Sequence, residues 1–137
     1  MVKLESVSRE AFAAFGEVVE FPAGCQDAFF IVDSEDTYPW RLAIFRYSNK
    51  EIRQMENHPS SKESFEPLSG MTVLVVAENQ TPEQYRAFIL DKPVLLKKGI
   101  WHQVLSLTAE ASVKITENRE VNSEFYSFEK NLQVVLL

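Results

Sequence analysis

His58 and His102 are the only histidines in the sequence, and each lies near residues that could share its chemistry. His58 ends a segment predicted to be a β-strand, in which side chains alternate between two faces, so Glu56 and His58 point the same way. Glu63 follows His58 after four residues, and His102 follows Gly99 after two. Imidazole nitrogens and carboxylate oxygens bind Zn, Ni, Fe or Mn, and they also transfer protons. These residue types therefore indicate a metal site or an acid–base site.

The segments around these residues are predicted to be short strands that follow one helix. Residues 8–16 carry the helix signals, since Ser8 can cap the start, Glu10 lies in the first turn and Gly16 can end it. The β-rich runs that follow, separated by turn residues, predict strands at 17–21, 29–32, 41–47, 52–58, 64–68, 71–77, 85–89, 94–97, 101–106, 111–116, 125–129 and 133–137. Residues 134–137 are all apolar, so we expect them to pair in the core or across a dimer interface.

This organisation indicates a single all-β domain over residues 1–137. About a dozen short strands with regular turns are typical of an antiparallel sandwich or barrel. The length of 137 residues is that of one ordinary domain, and ten Phe, four Tyr and two Trp supply bulky side chains for its interior. The chain contains no repeat, low-complexity tract or linker.

The composition of the chain limits which binding partners and which cellular compartment we expect. The net charge of −6 argues against a nucleic-acid partner, because a phosphate backbone needs a basic face. Cys25 is the single cysteine, which excludes an internal disulfide and favours a reducing compartment. The first residues lack the apolar region of a signal peptide, and no apolar run approaches the roughly 20 residues of a membrane span. We therefore expect a cytoplasmic protein with neither a nucleic-acid nor a membrane partner.

The spacing of His58, Glu63 and Gly70 resembles the latter part of the first cupin motif, and residues 99–102 resemble the glycine-to-histidine part of the second. This resemblance implies a single-domain jelly-roll barrel whose His and Glu side chains converge on a metal in the interior. Glu56 stands where the first motif usually begins with a histidine. The ligand set that the resemblance implies is Glu56, His58, Glu63 and His102, for a divalent metal such as Ni, Zn or Mn and with no organic cofactor.

A wider resemblance covers most of the chain. Residues 11–20, 56–59, 65–70, 73–77, 86–88 and 99–102 are similar to successive blocks of the ureidoglycolate lyase family. The resemblance implies a homodimeric enzyme of allantoin and purine catabolism that splits ureidoglycolate into glyoxylate and urea. Glu63, Glu56 and His102 would then be catalytic, and burial among aromatic side chains is expected to raise a carboxyl pKa towards neutrality.

A substrate carboxylate needs a cation, and bidentate geometry favours arginine. The candidates are Arg46, Arg86 and Lys98. Arg46 ranks first because it shares a strand face with Leu42 and Ile44, where a charge is expected only if that face lines a lumen.

Two alternatives remain open on the sequence alone. Some members of the family carry a second histidine where this chain has Gln103, and Glu56 replaces a usual histidine. These departures leave room for a non-catalytic cupin that binds a small carboxylate. They also leave room for a cupin enzyme of another reaction type, such as an isomerase of a sugar or keto acid.

Overall fold

A computed structural model describes residues 2–134 and contains eleven strands and one short helix. The elements in chain order are β1 (Leu4–Ser6), α1 (Arg9–Phe12), β2 (Gly16–Val18), β3 (Trp40–Tyr47), β4 (Glu51–Asn57), β5 (Glu63–Ser69), β6 (Thr72–Ala77), β7 (Arg86–Ile89), β8 (Val94–Leu96), β9 (Trp101–Ser106), β10 (Ala111–Asn118) and β11 (Glu124–Gln133). The predicted all-β class with a short N-terminal helix is confirmed.

The strands form two sheets that pack face to face. A six-stranded sheet has the order β1-β7-β6-β9-β4-β11, and a five-stranded sheet has the order β2-β8-β5-β10-β3. Between them lies an apolar core to which β6 contributes Leu74 and Val76, and β10 contributes Val113. Because strand side chains alternate, the inward face of β10 continues from Val113 through Ile115 to Glu117.

Strand β6 is buried along its whole length, because the six-stranded sheet is covered on both faces. On its outer face Val73 and Val75 belong to a second apolar cluster, against which Tyr126 and Phe128 of β11 pack. A strand buried on both sides carries a continuous apolar run rather than an alternating one. This is why residues 72–77 were predictable as a strand but did not reveal which face pointed inward.

The helix is shorter than predicted, and Gly16 does not end it. Ser8 caps it as expected, since its hydroxyl accepts a hydrogen bond from the Ala11 N–H at 3.1 Å. Gly16 instead begins β2, where it pairs with Leu96 of β8. A Cβ at Gly16 would collide with the Leu95 carbonyl, so the glycine permits the two backbones to approach.

Residues 29–32 are not a strand, which corrects the sequence prediction. This segment lies outside both sheets, with Phe29 and Ile31 82% and 65% exposed. It has the residue types of a strand but no neighbouring strand to pair with, and propensity alone does not form a ladder.

The structure also revises other parts of the strand prediction. Residues 125–129 and 133 belong to one strand, β11, whose register against β4 shifts between Ser127 and Leu132. Strand β1, which was not predicted, pairs in parallel with β7. The predicted pairing of 135–137 lies outside the described residues. Within residues 2–134, no helix is long and apolar enough to cross a membrane.

Candidate functional site

The site is built from two rows of side chains on facing sheets. In the six-stranded sheet, Glu56 of β4 pairs directly with His102 of β9. In the five-stranded sheet, Glu117 of β10 pairs with Glu63 of β5 on one side and with Arg41 of β3 on the other. Strand pairing therefore brings residues far apart in sequence to the two walls of one cavity.

Both imidazoles face a single carboxylate oxygen. Glu63 Oε1 lies 3.2 Å from His58 Nε2 and 2.9 Å from His102 Nε2. Glu56 Oε1 is 3.9 Å from each of these nitrogens, and Glu117 Oε1 is 3.9 Å from His58 Nε2. His58, Glu63 and His102 are buried, whereas Glu56 is one-third exposed. The four residues predicted to be ligands thus lie together; their binding of a metal stays a prediction.

The backbone that follows β4 holds His58 in place. The His58 carbonyl accepts hydrogen bonds from the Ser61 N–H at 3.2 Å and from the Gly99 N–H at 3.1 Å. Gly99 has a φ of +76°, a conformation that side-chain-bearing residues rarely adopt. The Gly99 carbonyl accepts from the Asn79 side chain at 2.9 Å. The turn before His102 is therefore tied directly to the turn after His58.

The hydrogen bonds of the far ring nitrogens leave both Nε2 atoms available as ligands. His102 Nδ1 donates to the Ile100 carbonyl at 3.0 Å, because a carbonyl oxygen can only accept. We assign His58 Nδ1 in the same way as donor to the Asn122 carbonyl at 3.2 Å. In the neutral tautomers each Nε2 lone pair then faces the Glu63 carboxylate, and such a pair of acceptors needs a proton or a cation between them.

Unpartnered buried atoms at the same place agree with this reading. Glu63 Oε1, His102 Nε2 and Glu117 Oε1 are buried without a well-formed hydrogen bond among the described residues. Glu63 contacts the two imidazoles at ion-pair distance. These contacts are attractive only when a proton or a cation lies between the carboxylate oxygen and the ring nitrogens. Imidazole nitrogen and carboxylate oxygen are the donors that Zn, Ni and Mn accept, so the residues present fit a divalent metal.

Without a metal, protons take the same position. Burial alone would lower the pKa of His58 and His102, but the adjacent Glu63 carboxylate outweighs burial and raises both pKa values above the ordinary one. Burial alone would raise the pKa of Glu63, but the two imidazoles lower it to about 2. The expectation that this carboxyl would titrate near neutrality was wrong for Glu63, because its neighbours are cationic when protonated.

The cluster lies in a cavity of about 330 Å³, partly open to solvent. Phe65 packs edge-on against the His102 ring with centroids 5.5 Å apart, and Phe45 lines the opening. A space of this size suits a small molecule rather than a polymer.

The three predicted cations lie elsewhere and do not line this cavity. Arg46 is largely exposed and pairs with Glu110 at 3.5 Å, because the face it shares with Leu42 and Ile44 is the outer one. Arg86 forms two hydrogen bonds with Glu5, at 2.9 and 2.7 Å, and packs over the rings of Phe15 and Phe88. Lys98 pairs with Glu35 at 3.0 Å.

Sequence reasoning missed Arg41 and Glu117. The predicted strand at 111–116 ended one residue before Glu117, which occupies the last inward position of β10. A charged residue that continues an apolar alternating face was the available signal. Arg41 lies on the inward face of β3, opposite to the face that drew attention to Arg46, and only pairing with β10 distinguishes the two.

Comparison with protein families and with curated sequences gives consistent matches. A family model described as ureidoglycolate lyase matches residues 33–135. Ureidoglycolate lyase 1 of Rhizobium meliloti (strain 1021) is 31% identical over 144 residues, covering 88% of this chain and 83% of the relative. Ureidoglycolate lyase of Brucella melitensis biotype 2 is 30% identical over 149 residues, covering 91% and 88%. All of the site residues lie within the stretch that the family model matches.

Solved structures with a similar fold are cupins of low sequence identity. A dTDP sugar isomerase from Desulfovibrio desulfuricans G20 superposes with a TM-score of 0.53, at 12% identity and over 80% of each chain. A Bacillus subtilis oxalate decarboxylase, which carries Mn(II) centres, superposes with a TM-score of 0.50 at 16% identity, over 66% of this chain and 24% of that chain. The predicted cupin fold is confirmed.

Proposed function

We propose that this chain, which belongs to the ureidoglycolate lyase family, cleaves ureidoglycolate into glyoxylate and urea. The observation that carries the proposal is the pair of imidazoles around Glu63 in a cavity of small-molecule size, within a chain of this family. Ureidoglycolate has one carbon that bears a hydroxyl, a carboxylate and a ureido nitrogen. Its cleavage moves the hydroxyl proton to the departing nitrogen, so a proton carrier must stand beside that carbon.

We propose that His58, His102 and Glu63 hold a divalent metal, Ni, Zn or Mn, with Glu56 as a fourth ligand or a nearby base. A bound metal would supply Lewis acidity that lowers the pKa of the substrate hydroxyl. The orphaned Nε2 and carboxylate atoms support this assignment. So do the Mn(II) centres of the oxalate decarboxylase with the same fold.

Glu56 is the residue placed to move the proton. Its carboxylate is partly exposed at the cavity, 3.9 Å from both imidazoles, whereas Glu63 is held by both and has a pKa of about 2. Glu56 takes the hydroxyl proton and returns it to the ureido nitrogen as the carbon–nitrogen bond breaks, so its charge is restored after each turnover. His58 and His102 would hold the metal through their Nε2 atoms, and Phe45 and Phe65 limit the water around the substrate.

The experiment measures glyoxylate released from ureidoglycolate by the wild type, Glu56→Gln and Glu51→Gln. Glu51 lies exposed on the same strand as Glu56 and is the matched control. We expect turnover by the wild type and by Glu51→Gln, and a loss in kcat of about 10²- to 10⁴-fold in Glu56→Gln, as for removal of an acid–base group.

The same assay, run after EDTA treatment and again with added Ni, Zn or Mn, tests the metal. Activity that falls with EDTA and returns with one ion supports the ligand set, and His102→Ala should then lower both metal content and activity. A wild type that releases no glyoxylate with any of these ions but binds glyoxylate saturably would contradict the lyase proposal and favour a carboxylate sensor.

We further propose that the enzyme is a cytoplasmic homodimer that acts in allantoin and purine catabolism. Urea and glyoxylate as products support the pathway. The exposed apolar outer face of β3, formed by Trp40, Leu42 and Ile44, supports the dimer.

A further inference from the structure

We propose that Arg41 binds the carboxylate of the substrate and that Glu117 is the positioning residue that holds Arg41 at the cavity. The identity of the substrate rests on the function proposed above. The cavity itself supports a small anion, because Arg41 lines it, and the 2-hydroxy or 2-oxo carboxylate class comes with the proposed function.

The charges around the cavity show why a cation is needed there. Glu56, Glu63 and Glu117 line it, and Arg41 is the one Lys or Arg among its lining residues in the part of the chain that the structure describes. A carboxylate substrate entering beside three carboxylates meets repulsion unless a fixed positive charge receives it. The guanidinium of Arg41 keeps its charge at every relevant pH.

Glu117 fixes the direction of that guanidinium. Its Oε2 accepts hydrogen bonds from Arg41 Nε at 2.9 Å and from Arg41 Nη2 at 2.6 Å. The Glu117 side chain is 7% exposed and that of Arg41 is 46% exposed. Glu117 is therefore held in the interior, whereas part of the Arg41 side chain is accessible to a ligand. These two bonds use two of the five guanidinium N–H groups, and within residues 2–134 the remaining donors have no hydrogen-bond partner and can receive an anion.

The second oxygen of Glu117 links the arginine to the cluster. Oε1 is buried, has no hydrogen-bond partner in the described part of the chain, and lies 3.9 Å from His58 Nε2. One carboxylate group therefore separates the guanidinium from the imidazoles. In a 2-hydroxy acid the carboxylate and the hydroxyl are on adjacent carbons, so a substrate held by Arg41 has its hydroxyl carbon directed to the cluster at short range.

The test is calorimetric binding of oxalurate, an uncleavable 2-oxo carboxylate that keeps the ureido group, to the purified protein. We expect Arg41→Gln to weaken binding by about 10- to 100-fold, the effect of losing hydrogen bonds to a charged partner. Arg53→Gln, an exposed arginine on β4, removes the same charge elsewhere and should bind as the wild type does.

Arg41→Gln alone leaves Glu117 buried without its cation, which could prevent folding. The double variant Arg41→Gln/Glu117→Gln removes both charges and should fold, as circular dichroism will show, yet still bind oxalurate at least 10-fold more weakly. Glu117→Ala removes the acceptor that holds the guanidinium and should weaken binding by a similar factor, and Glu117→Gln, whose amide oxygen still accepts from Arg41, should recover part of that loss.

Wild-type affinity in the folded double variant would overturn the proposal. So would a loss of binding in Glu117→Gln as large as that in Arg41→Gln, since Glu117 would then contact the ligand or a metal directly. Binding is measured without turnover, so a wild type that binds oxalurate through Arg41 but releases no glyoxylate would reject the lyase function and leave this inference intact.

Discussion

Glu63 has an unusual position among the carboxylates of this protein, because it is buried and has an imidazole on each side. In the metal-free protein the raised pKa of His58 and of His102 favours protons that balance its negative charge, and in a metal-loaded protein the ion would balance it. The same geometry therefore serves two states of the site, and the charge of the occupant decides how stability depends on pH.

The metal-free wild type is predicted to be most stable at mildly acidic pH. The pKa of His58 and His102 is raised from 6.5, so their contribution is complete below 6.5 and is lost as pH rises through the raised values. The pKa of Glu63 is lowered from 4.5 to about 2, so its contribution is present above 4.5 and is lost as pH falls towards 2. Urea unfolding in EDTA should give a lower free energy of unfolding at about pH 8.5 than at about pH 5.5.

Glu63→Gln provides the comparison for this pH dependence. The amide cannot stabilise imidazolium, and burial then lowers the histidine pKa values, so the free energy of unfolding should be flat or rise between these two pH values. If the variant loses stability with rising pH as steeply as the wild type does, Glu63 is not the group that holds the protons.

The site residues differ in how well the sequence could predict them. His58, Glu63 and His102 were predictable because the two histidines are scarce and their spacing matches a motif. Arg41 and Glu117 were not, because their role depends on the pairing of β3 with β10 across 76 residues of sequence. Neither residue type is unusual in a strand. The two side chains meet only because of the register between β3 and β10, and the alternation of side chains within one strand does not determine that register.

At the scale of elements, the turn between β5 and β6 imposes a strict local requirement for glycine. Gly70 has a φ of +67°, and a Cβ there would collide with the Glu110 carbonyl and lie 2.6 Å from Thr108 Oγ1 and 2.9 Å from Ala111 Cα. Both a strained backbone and a steric overlap would follow from any side chain at this position.

Gly70→Ala is therefore predicted to lower the free energy of unfolding by about 2 to 4 kcal/mol, measured by urea denaturation. Gly24→Ala is the matched control, since Gly24 has a similar φ of +79° but open space around its Cα. It should cost about 1 kcal/mol, the backbone part alone. Equal losses in the two variants would show that crowding at Gly70 is relieved by movement of the β9–β10 turn.

Strand positions were predicted more reliably than the pairing of the strands. The runs at 41–47, 71–77 and 101–106 are close to β3, β6 and β9, because turn residues bound each of them. Residues 29–32 also have residue types that favour a strand, but they have no partner strand among residues 2–134. A strand exists only where a neighbour accepts its backbone hydrogen bonds, and that neighbour is a property of the whole fold.

At the scale of the molecule, the outer face of β3 has no covering layer in the described chain. Trp40, Leu42 and Ile44 are 67%, 57% and 73% exposed and lie on one side of a strand that is the edge of the five-stranded sheet. An edge strand with an apolar outer face is a liability in a monomer and is suited to burial against a second copy of the same chain. A two-fold dimer would place the same three side chains of each copy against each other.

Ile44→Lys should therefore convert the proposed dimer into monomers, because the isologous arrangement puts two new ammonium groups at the centre of one interface. Sedimentation equilibrium at micromolar concentration gives the mass directly, and the wild type should have twice the chain mass of 15.7 kDa. Phe21→Lys removes an apolar side chain of similar exposure beside β2, at the opposite edge of the same sheet, and should remain dimeric. A monomeric wild type would reject the dimer, and a dimeric Ile44→Lys would move its interface away from β3.

Because Arg41 and Glu117 belong to the inner face of the same sheet, the monomeric variant should still bind oxalurate, which separates assembly from substrate binding.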